Sequence, residues 1–324
     1  MARILTGIQA TGKPHLGNIL GAIFPAIQMA NEPGNESFLF IADMHSLTQI
    51  KDAAVLRANT LEVAATWLAC GLDPNKSVFY RQSDIPEVTE LAWYLSCFYP
   101  YQRLTLAHSF KDKADRLEDV NAGLFTYPML MAADILLYDA ERVPVGKDQL
   151  QHLEMTRDVG ARFNHKMGET FVLPEEDVRE ETMYVIGTDG QKMSKSRDNT
   201  IDVFLDEKAL KNLINKNIIT DATPLEDPKD PSASAVHAIY SMLVDRAAAD
   251  EMAAKLQAGG YGWGHAKNDL KQALVERFAE PRERYHELMA HPDRINDVLA
   301  EGAVKARKVA QEVLGRVRER LGMG

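Results

Sequence analysis

The sequence predicts an α/β fold in which a parallel five-stranded sheet has helices on both faces and is followed by an all-helical C-terminal part. In the first 200 residues, short β-rich runs alternate with stretches of helical length, the pattern of a parallel sheet with crossover helices. After Asn199 the chain shows amphipathic helical patterns and no β-rich run. A chain of 324 residues, 45% hydrophobic and 26% charged, is long enough for one large or two unequal globular domains.

Five runs rich in β-branched and aromatic residues are the candidate strands, and they lie at 3–8, 37–42, 77–81, 143–146 and 183–186. Helical patterns separate them, for example at 53–70 and 128–138. Parallel sheets bind their ligands beyond the carboxyl ends of the strands. The candidate site is therefore formed by the segments that follow the strands: GIQATGKPH, DMHSLT, QSDIPE, GKDQ and GTDGQKMSKS.

The C-terminal part reads as helices at 205–219, 234–243 and 269–289, interrupted by the polar segment TPLEDPKDPS and by GGYGWG. The final stretch has apolar residues at helical spacing and a cluster of basic side chains: Lys305, Arg307, Lys308, Arg316, Arg318 and Arg320. We expect a basic helix that docks on the first domain, and its charges fit either a solvated face or an RNA contact. The predicted units are 1–200, 201–290 and 291–324.

Composition narrows the class of protein. A formal net charge of −10 disfavours nonspecific DNA binding, although a local basic face for a folded RNA stays possible. The two cysteines, Cys70 and Cys97, are too few for a disulfide framework or a four-ligand zinc site. No apolar run reaches the length of a membrane span, and MARILTGIQ does not read as a signal peptide. These features predict a cytosolic enzyme or selective binder with no membrane partner.

Residues 7–13 match the spacing of a phosphate-binding P-loop, G-x-x-x-x-G-K. The next position requires a hydroxyl to hold Mg²⁺, and Pro14 has none. Pro14 instead suits the first turn of a helix. A P-loop kinase or ATPase is therefore disfavoured.

Two short motifs carry chemistry of another kind. In the first, His15-Leu-Gly17-Asn18 opens a predicted helix, where free N–H groups and the dipole attract phosphate. Taken alone, its glycines and histidine fit helix packing equally well. In the second, DGQKMSKS places Lys192 and Lys195 on a turn that has little to bury.

Together, in this order and within an α/β domain, the two motifs resemble the signatures of class I aminoacyl-tRNA synthetases. The opening GIQ-x-TG, the run TYP-x-LMAADILLY and the segment 144–158 sharpen the resemblance to tryptophanyl-tRNA synthetases of the bacterial type, over essentially the whole chain. The resemblance implies a Rossmann-like catalytic domain that ends in the segment DGQKMSKS, residues 189–196, here called the lysine loop. It also implies a helical anticodon-binding domain and a homodimer.

Asp134 is the one carboxylate in a nearly apolar helix, so it needs a hydrogen-bond donor. From the residues alone, that donor is either a group of the protein or a substrate. The resemblance implies that Asp134 accepts the indole N–H of tryptophan and that Met131 packs on the ring. Tyr127, Gln149 and His45 complete the tryptophan site. Leu5 departs from the family, which often has an aromatic ring there.

For ATP, the resemblance implies contacts from the first glycine-rich segment, from the end of the fourth strand and from the lysine loop. The residues implied are Gln9, Ala10, Thr11, Gly17, Asn18, Gly146, Lys147, Asp148, Met183, Lys192, Met193, Ser194, Lys195 and Ser196. Lys147 stands where the family usually has an acid. His15, Asn18, Lys113, Lys192 and Lys195 are the implied catalytic residues.

The implied reaction joins L-tryptophan to ATP, forms the adenylate and transfers the amino acid to tRNA(Trp). Its first step needs no general base because a carboxylate is already a nucleophile, so catalysis comes from positioning and charge stabilisation. One Mg²⁺ is expected, held mainly by phosphate oxygens and water, with no dedicated metal site in the protein. A tyrosine-specific relative and a synthetase-like RNA-binding protein without charging activity are the alternatives.

Overall fold

The chain forms an α/β sheet domain followed by helices. A computed structural model describes residues 2–106, 120–146, 149–178 and 184–324. Its sheet has five parallel strands in the order β3-β2-β1-β4-β5. Their bounds are β1 Ala2–Gln9, β2 Asn35–Ala42, β3 Val78–Arg81, β4 Arg142–Val145 and β5 Glu175–Val178. The predicted parallel sheet and helical C-terminal region are both confirmed.

The first half also contains the helices that flank the sheet. In chain order they are α1 Leu16–Asn18, α2 Phe24–Ala30, α3 Asp43–Ser46, α4 Ala53–Ala69, α5 Glu87–Phe98, α6 Tyr101–Leu104, α7 Ala122–Leu136 and α8 Leu150–Met167. A π-helical segment, Ile19–Ile23, joins α1 to α2. Short 3₁₀ turns lie at Gln82–Asp84 and Lys195–Arg197.

Beyond Asp206 the described chain consists of helices joined by turns and loops. Its helices are α9 Glu207–Asn217, α10 Ala235–Ser241, α11 Arg246–Ala258, α12 Trp263–Arg277, α13 Ala279–Ala290 and α14 Pro292–Leu321, with a 3₁₀ turn at Pro231–Ala233. The continuous pattern at 269–289 is interrupted at Phe278, which ends α12. Within the described residues, no helix has the length and apolar character needed to cross a membrane.

The predicted fifth strand at 183–186 is wrong. Residue 183 lies outside the described residues, and Ile186 makes only an isolated antiparallel bridge to Lys192 across the Asp189-Gly190 turn. The fifth strand of the sheet is β5, which pairs with β4. Its sequence, EEDV, is acidic, and charged residues are common on exposed sheet edges but depleted from strands in general. Hydrophobic patterning therefore favoured the wrong segment.

Two apolar cores lie on the two faces of the sheet. One contains Leu39 and Ile41 with residues of α4 and of the C-terminal helices. The other contains Phe38 and Phe40 with residues of α5, α7, α8 and α14. Since side chains alternate along a strand, residues 38 to 41 of β2 serve both cores, which is the pattern of a sheet buried on both sides.

Helix α14 lies against β3 and α5. A β-carbon on Gly302 would overlap the carbonyl oxygen of Phe79, so this helix touches the strand backbone directly. Its basic side chains face carboxylates of the first half. The ion pairs are Arg307–Glu87 at 2.8 Å, Arg318–Glu90 at 2.6 Å and Arg316–Asp139 at 2.6 Å. These three arginines therefore serve contacts within the protein.

Candidate active site

A cavity of about 590 Å³ opens at the carboxyl edge of the sheet, between the end of β1, the start of α1, helix α7 and the end of β4. Eleven of the sequence-predicted site residues line it. They are Leu5, Gln9, Thr11, Asn18, His45, Tyr127, Met131, Asp134, Gly146, Gln149 and Lys195. The structure therefore brings the two predicted groups, one for an amino acid and one for a nucleotide, into one space.

The remaining predicted residues fall into two groups. Among the described residues, those outside the cavity wall are Ala10, His15, Gly17, Lys192, Met193, Ser194 and Ser196. The other four, Lys113, Lys147, Asp148 and Met183, lie outside the described residues, so their predicted roles stay predictions.

Asp134 lies at the floor of the cavity, 3% exposed. Its donors are groups of the protein: His45 Nε2 lies 2.8 Å from Oδ2, and Gln82 Nε2 donates to both oxygens at 2.8 and 2.9 Å. Protein donors therefore already satisfy part of this carboxylate, and a donor from a substrate would be an additional one. Two carboxylate oxygens accept about four hydrogen bonds, which leaves room for one more donor from the cavity.

The electrostatics of Asp134 follow from this environment. Burial raises the pKa of its carboxyl, and the hydrogen bonds from His45 and Gln82 oppose that rise. Gln82 was not singled out in the sequence, although it begins the segment QSDIPE after the third strand. It is 1% exposed in the turn that ends β3. A polar residue directly after a buried strand was the available signal.

Tyr127, which shares helix α7 with Asp134, and Gln149 also line the cavity. The Tyr127 hydroxyl lies 2.5 Å from His152 Nε2, and both side chains are buried. The Gln149 backbone N–H donates to Gly146 O at 2.9 Å as α8 begins. His152 was missed because it is the third residue of α8, where nothing in the sequence separates it from a core histidine.

The glycine-rich segment after β1 is fixed by two polar side chains that the sequence did not reveal. The Ala10 N–H donates to Ser46 Oγ at 3.0 Å, and Asn59 Nδ2 donates to Ala10 O at 3.1 Å. Gly12 has φ = +112°, a conformation that side-chain-bearing residues rarely adopt. The protein itself therefore satisfies both backbone groups of Ala10.

The motif His15-Leu-Gly-Asn18 begins α1. The His15 N–H donates to the Asn18 side-chain oxygen at 3.2 Å, which closes the first turn and places Asn18 in the cavity wall. Burial, with the Lys195 ammonium as a second cause, lowers the pKa of His15 to about 4. The imidazole is therefore neutral at pH 7, with one ring nitrogen as donor and the other as acceptor.

Asn199 organises the lysine loop. Its side-chain oxygen accepts from Ser194 N at 2.7 Å, and its amide donates to Lys192 O at 3.0 Å and to Asp189 Oδ1 at 2.6 Å. This residue is 1% exposed, and it was not predicted. A single buried amide therefore holds the conformation of a loop whose other side chains are mostly exposed.

The lysine loop contacts the glycine-rich segment at two points. The Gly17 N–H lies 3.2 Å from Met193 Sδ, and Lys195 Nζ donates to Thr11 O at 3.2 Å. Burial of the ammonium end lowers the pKa of Lys195, and Glu62 opposes the change. One end of the cavity thus presents a helix N-terminus and an ammonium group, which suit phosphate, and the other end presents a buried acceptor.

Residues 1–279 match the family described as tRNA synthetases class I (W and Y). The chain belongs to this family. The class I synthetase resemblance expected from His15–Asn18 and from the lysine loop is confirmed, and the lysine loop is from here called the KMSKS loop.

Relatives in this synthetase family extend over the whole chain. A tryptophan--tRNA ligase of Campylobacter jejuni strain RM1221 is 46% identical over 321 residues, covering 99% of this chain and 100% of the relative. One from Rhodopirellula baltica is 47% identical and covers 99% of both. A crystal structure of tryptophanyl-tRNA synthetase from Campylobacter jejuni complexed with ADP and tryptophan superposes with a TM-score of 0.94 at 46% identity, covering 99% of each chain.

Proposed function

We propose that this protein is a tryptophan–tRNA ligase, which activates L-tryptophan with ATP and transfers it to tRNA(Trp). The observation that carries the proposal is the shared cavity: a buried carboxylate, Asp134, and the phosphate-suited pair Asn18 and Lys195 line one space. The relatives described above carry the same ligase name, and the crystal structure from Campylobacter jejuni holds ADP and tryptophan.

In the first step, the indole lies on Met131 with its N–H donated to Asp134. A substrate that lacks this donor leaves the buried carboxylate one partner short, and such mismatches can cost a factor of about 10⁴ in specificity. Tyr127, Gln149 and His45 hold the amino-acid end and the side of the ring, and Leu5 closes the floor. The substrate carboxylate then attacks the α-phosphorus of ATP, and pyrophosphate leaves.

ATP lies along the glycine-rich segment and α1. Gln9, Ala10, Thr11 and Gly17 contact adenosine and the first phosphates, and Gly146, Lys147 and Asp148 contact the ribose. Met183 packs on adenine. Asn18, His15, Lys113, Lys192 and Lys195 stabilise the phosphate charge, with Met193, Ser194 and Ser196 shaping the KMSKS loop around it. Lys195 exchanges Thr11 O for phosphate oxygen when ATP enters.

A magnesium ion would neutralise charge on the departing pyrophosphate. Among the described residues, no group of three or more His, Cys, Asp or Glu side chains is arranged to hold a metal. In this proposal the Mg²⁺ would be held mainly by phosphate oxygens and water, as this cation prefers when it meets nucleotides.

In the second step a terminal ribose hydroxyl of tRNA(Trp) attacks the carbonyl carbon of the tryptophanyl-adenylate, and AMP leaves. In this proposal, residues 201–290 bind the anticodon, 291–324 support the catalytic domain, 1–200 carry the chemistry, and the protein acts in the cytoplasm as a homodimer. Charging of tRNA(Trp) and of an anticodon-altered tRNA(Trp), compared at equal concentration, tests the anticodon assignment.

The direct test is ATP–pyrophosphate exchange in the presence of tryptophan, with tyrosine and phenylalanine run in parallel. Exchange with tryptophan alone supports the proposal. Exchange with tyrosine instead makes the protein a tyrosine-specific relative. A folded protein that binds tRNA and exchanges with none of the three is an RNA-binding protein, and the proposal is then wrong.

A further inference from the structure

Lys13 has a role that neither the P-loop-like spacing nor the synthetase motifs assign. Its neighbours Gly12 and Pro14 line the cavity, but Lys13 is not among the described residues that do so. Its Nζ lies 2.8 Å from Asp202 Oδ2. The same ammonium lies 5.4 Å from the ring centroid of Phe204 and 4.8 Å from that of Tyr285. The partners of this cation are likewise not among the described residues that line the cavity.

Two of the three partners of Lys13, Asp202 and Phe204, belong to the segment 201–204, which follows the KMSKS loop directly. A second bond ties this segment to the start of α1, because Leu16 N donates to Ile201 O at 2.9 Å. Asp202 also accepts the Phe204 N–H at 2.9 Å, so the segment has a fixed turn. The glycine-rich segment is thus attached to the C-terminal base of the KMSKS loop at Lys13 and Leu16.

Helix α13 holds the other side of this segment. Arg282 donates to Val203 O at 3.2 and 3.0 Å, and the His286 ring lies 2.9 Å from Phe204 O. The Tyr285 ring stacks on Phe204 with centroids 4.0 Å apart and an interplanar angle of 11°. The base of the KMSKS loop is therefore clamped between the glycine-rich segment and a helix of the C-terminal half.

The contacts of Lys13 are of a kind that fixes position. Phe204 and Tyr285 are 1% and 4% exposed, so the cation meets ring faces with little water between them. Desolvated cation–π contacts are stronger than exposed ones, and the ion pair adds a directional bond. A solvated surface lysine would not be held at three points.

We propose that Lys13 is a positioning residue for amino-acid activation: it fixes the base of the KMSKS loop to the glycine-rich segment and so sets the place from which Lys195 reaches ATP. This rests on the proposed ligase function. Lys195 contacts Thr11, two residues before Lys13 in the chain. The loop and the segment that follows it are therefore both bound to the same short stretch of the glycine-rich segment. Lys13 itself does not touch substrate.

The test compares Lys13→Met, which keeps the length and apolar stem, with Lys13→Arg, which keeps the charge and the stacking. Lys255→Met is the matched control, since Lys255 also pairs with a carboxylate, Glu251 at 2.7 Å, and lies 6.0 Å from the ring of Tyr261, but within the C-terminal helices. Tryptophan-dependent ATP–pyrophosphate exchange is measured for each, normalised to active sites by titration.

We expect Lys13→Met to lower kcat/KM for ATP by about five- to thirtyfold, the loss of one partly buried ion pair and its cation–π contacts. The KM for tryptophan should change by less than about twofold, because the residues assigned to tryptophan make no described contact with Lys13 or with the segment 201–204. Lys13→Arg should recover most of the loss, and Lys255→Met should match the wild type. A purely stabilising lysine would instead change the active fraction and leave kcat/KM for ATP per active site unchanged.

A double-mutant cycle with Asp202→Asn tests the clamp independently. The loss in Lys13→Met should be clearly smaller when Asp202→Asn is already present, because the ion pair is then already broken and only the cation–π contacts remain to be lost. Wild-type constants for ATP in folded Lys13→Met overturn the inference while the wild type still activates tryptophan. A wild type that activates no amino acid overturns the proposed function instead.

Discussion

The Asp134 carboxylate is shared between two side chains of the protein and the cavity that it faces. His45 and Gln82 orient its oxygens, so the group is preorganised before any ligand binds. Preorganised acceptors give specificity because an unsuitable ligand leaves them short of a partner, whereas a suitable one costs no rearrangement.

His15 makes a prediction about pH. Its pKa is about 4 in the folded protein, against about 6.5 for an unperturbed histidine. As pH falls from 7 to 4, the unfolded chain therefore takes up a proton that the folded protein does not, and the free energy of unfolding decreases. This single group contributes up to about 3 kcal/mol over that window.

Chemical denaturation of the wild type and of His15→Asn, from pH 7.5 to pH 4, checks this. All other titrating groups are common to both proteins, so the difference between the two curves isolates His15. The wild type should lose stability relative to the variant as pH falls. A difference that stays constant across this range would show that His15 titrates normally in the folded protein.

At the residue scale, the sequence predicted a site residue best where its polarity differs from that of its neighbours in the chain. Asp134 was recognisable because it is a single charge in an apolar helix. Gln82, Ser46, Asn59 and His152 were not, because ordinary polar residues acquire their partners only when distant segments meet in the fold. Asp134 and Gln82, for instance, are 52 positions apart.

At the element scale, the KMSKS loop owes its shape to Asn199 more than to its lysines. A β-carbon on Gly187 would overlap the Asn199 side chain, so the two ends of the loop are packed together. Lys192 has an exposed side chain on this scaffold, and the Lys195 ammonium reaches Thr11 O. A loop that closes on a nucleotide needs such a fixed base to define its end point.

Asn199→Ala should therefore lower kcat/KM for ATP about tenfold or more, because two backbone groups of the loop lose their partners. Amide hydrogen exchange should accelerate at 192–199 and stay unchanged in β1. Asn75→Ala, which removes an amide from an exposed turn, is the control. Unchanged exchange rates in the loop would contradict the assigned role of Asn199.

The elements themselves were predictable to different degrees. Strands β1 and β2 are apolar and central, so their composition marks them. Strand β5 lies at the edge and is acidic, and its place is set by pairing with β4, which no local pattern encodes. The split of 269–289 into α12 and α13 was missed although Pro281, in the first turn of α13, was the available signal, because a proline is tolerated at the start of a helix and disrupts its interior.

For the whole molecule, the long helix α14 ties the C-terminus to the sheet. Gly302 lies against the backbone of β3, whereas a β-carbon on Gly315 of the same helix would meet open space. Three of the arginines for which the sequence allowed either an RNA contact or a solvated face form ion pairs with Glu87, Glu90 and Asp139. The apolar spacing predicted this helix, but only the folded chain shows which partners its charges have.

The two glycines give predictions of opposite sign. Gly315→Ala should stabilise the protein by up to about 1 kcal/mol through helix propensity. Gly302→Ala should destabilise it by about 2 kcal/mol or more, because either the helix or β3 must move to admit the methyl group. Urea unfolding of both variants measures the difference. Equal effects would show that α14 does not touch β3 at Gly302.

The central claim is that Asp134 reads the indole N–H, and one comparison tests it most directly. Activation of tryptophan is compared with activation of its benzothienyl analogue, in which sulfur replaces N–H, by wild type and by Asp134→Ala. The wild type should prefer tryptophan by about 100-fold or more in kcat/KM, and the variant should lose most of that preference. The same preference in both proteins would contradict the account.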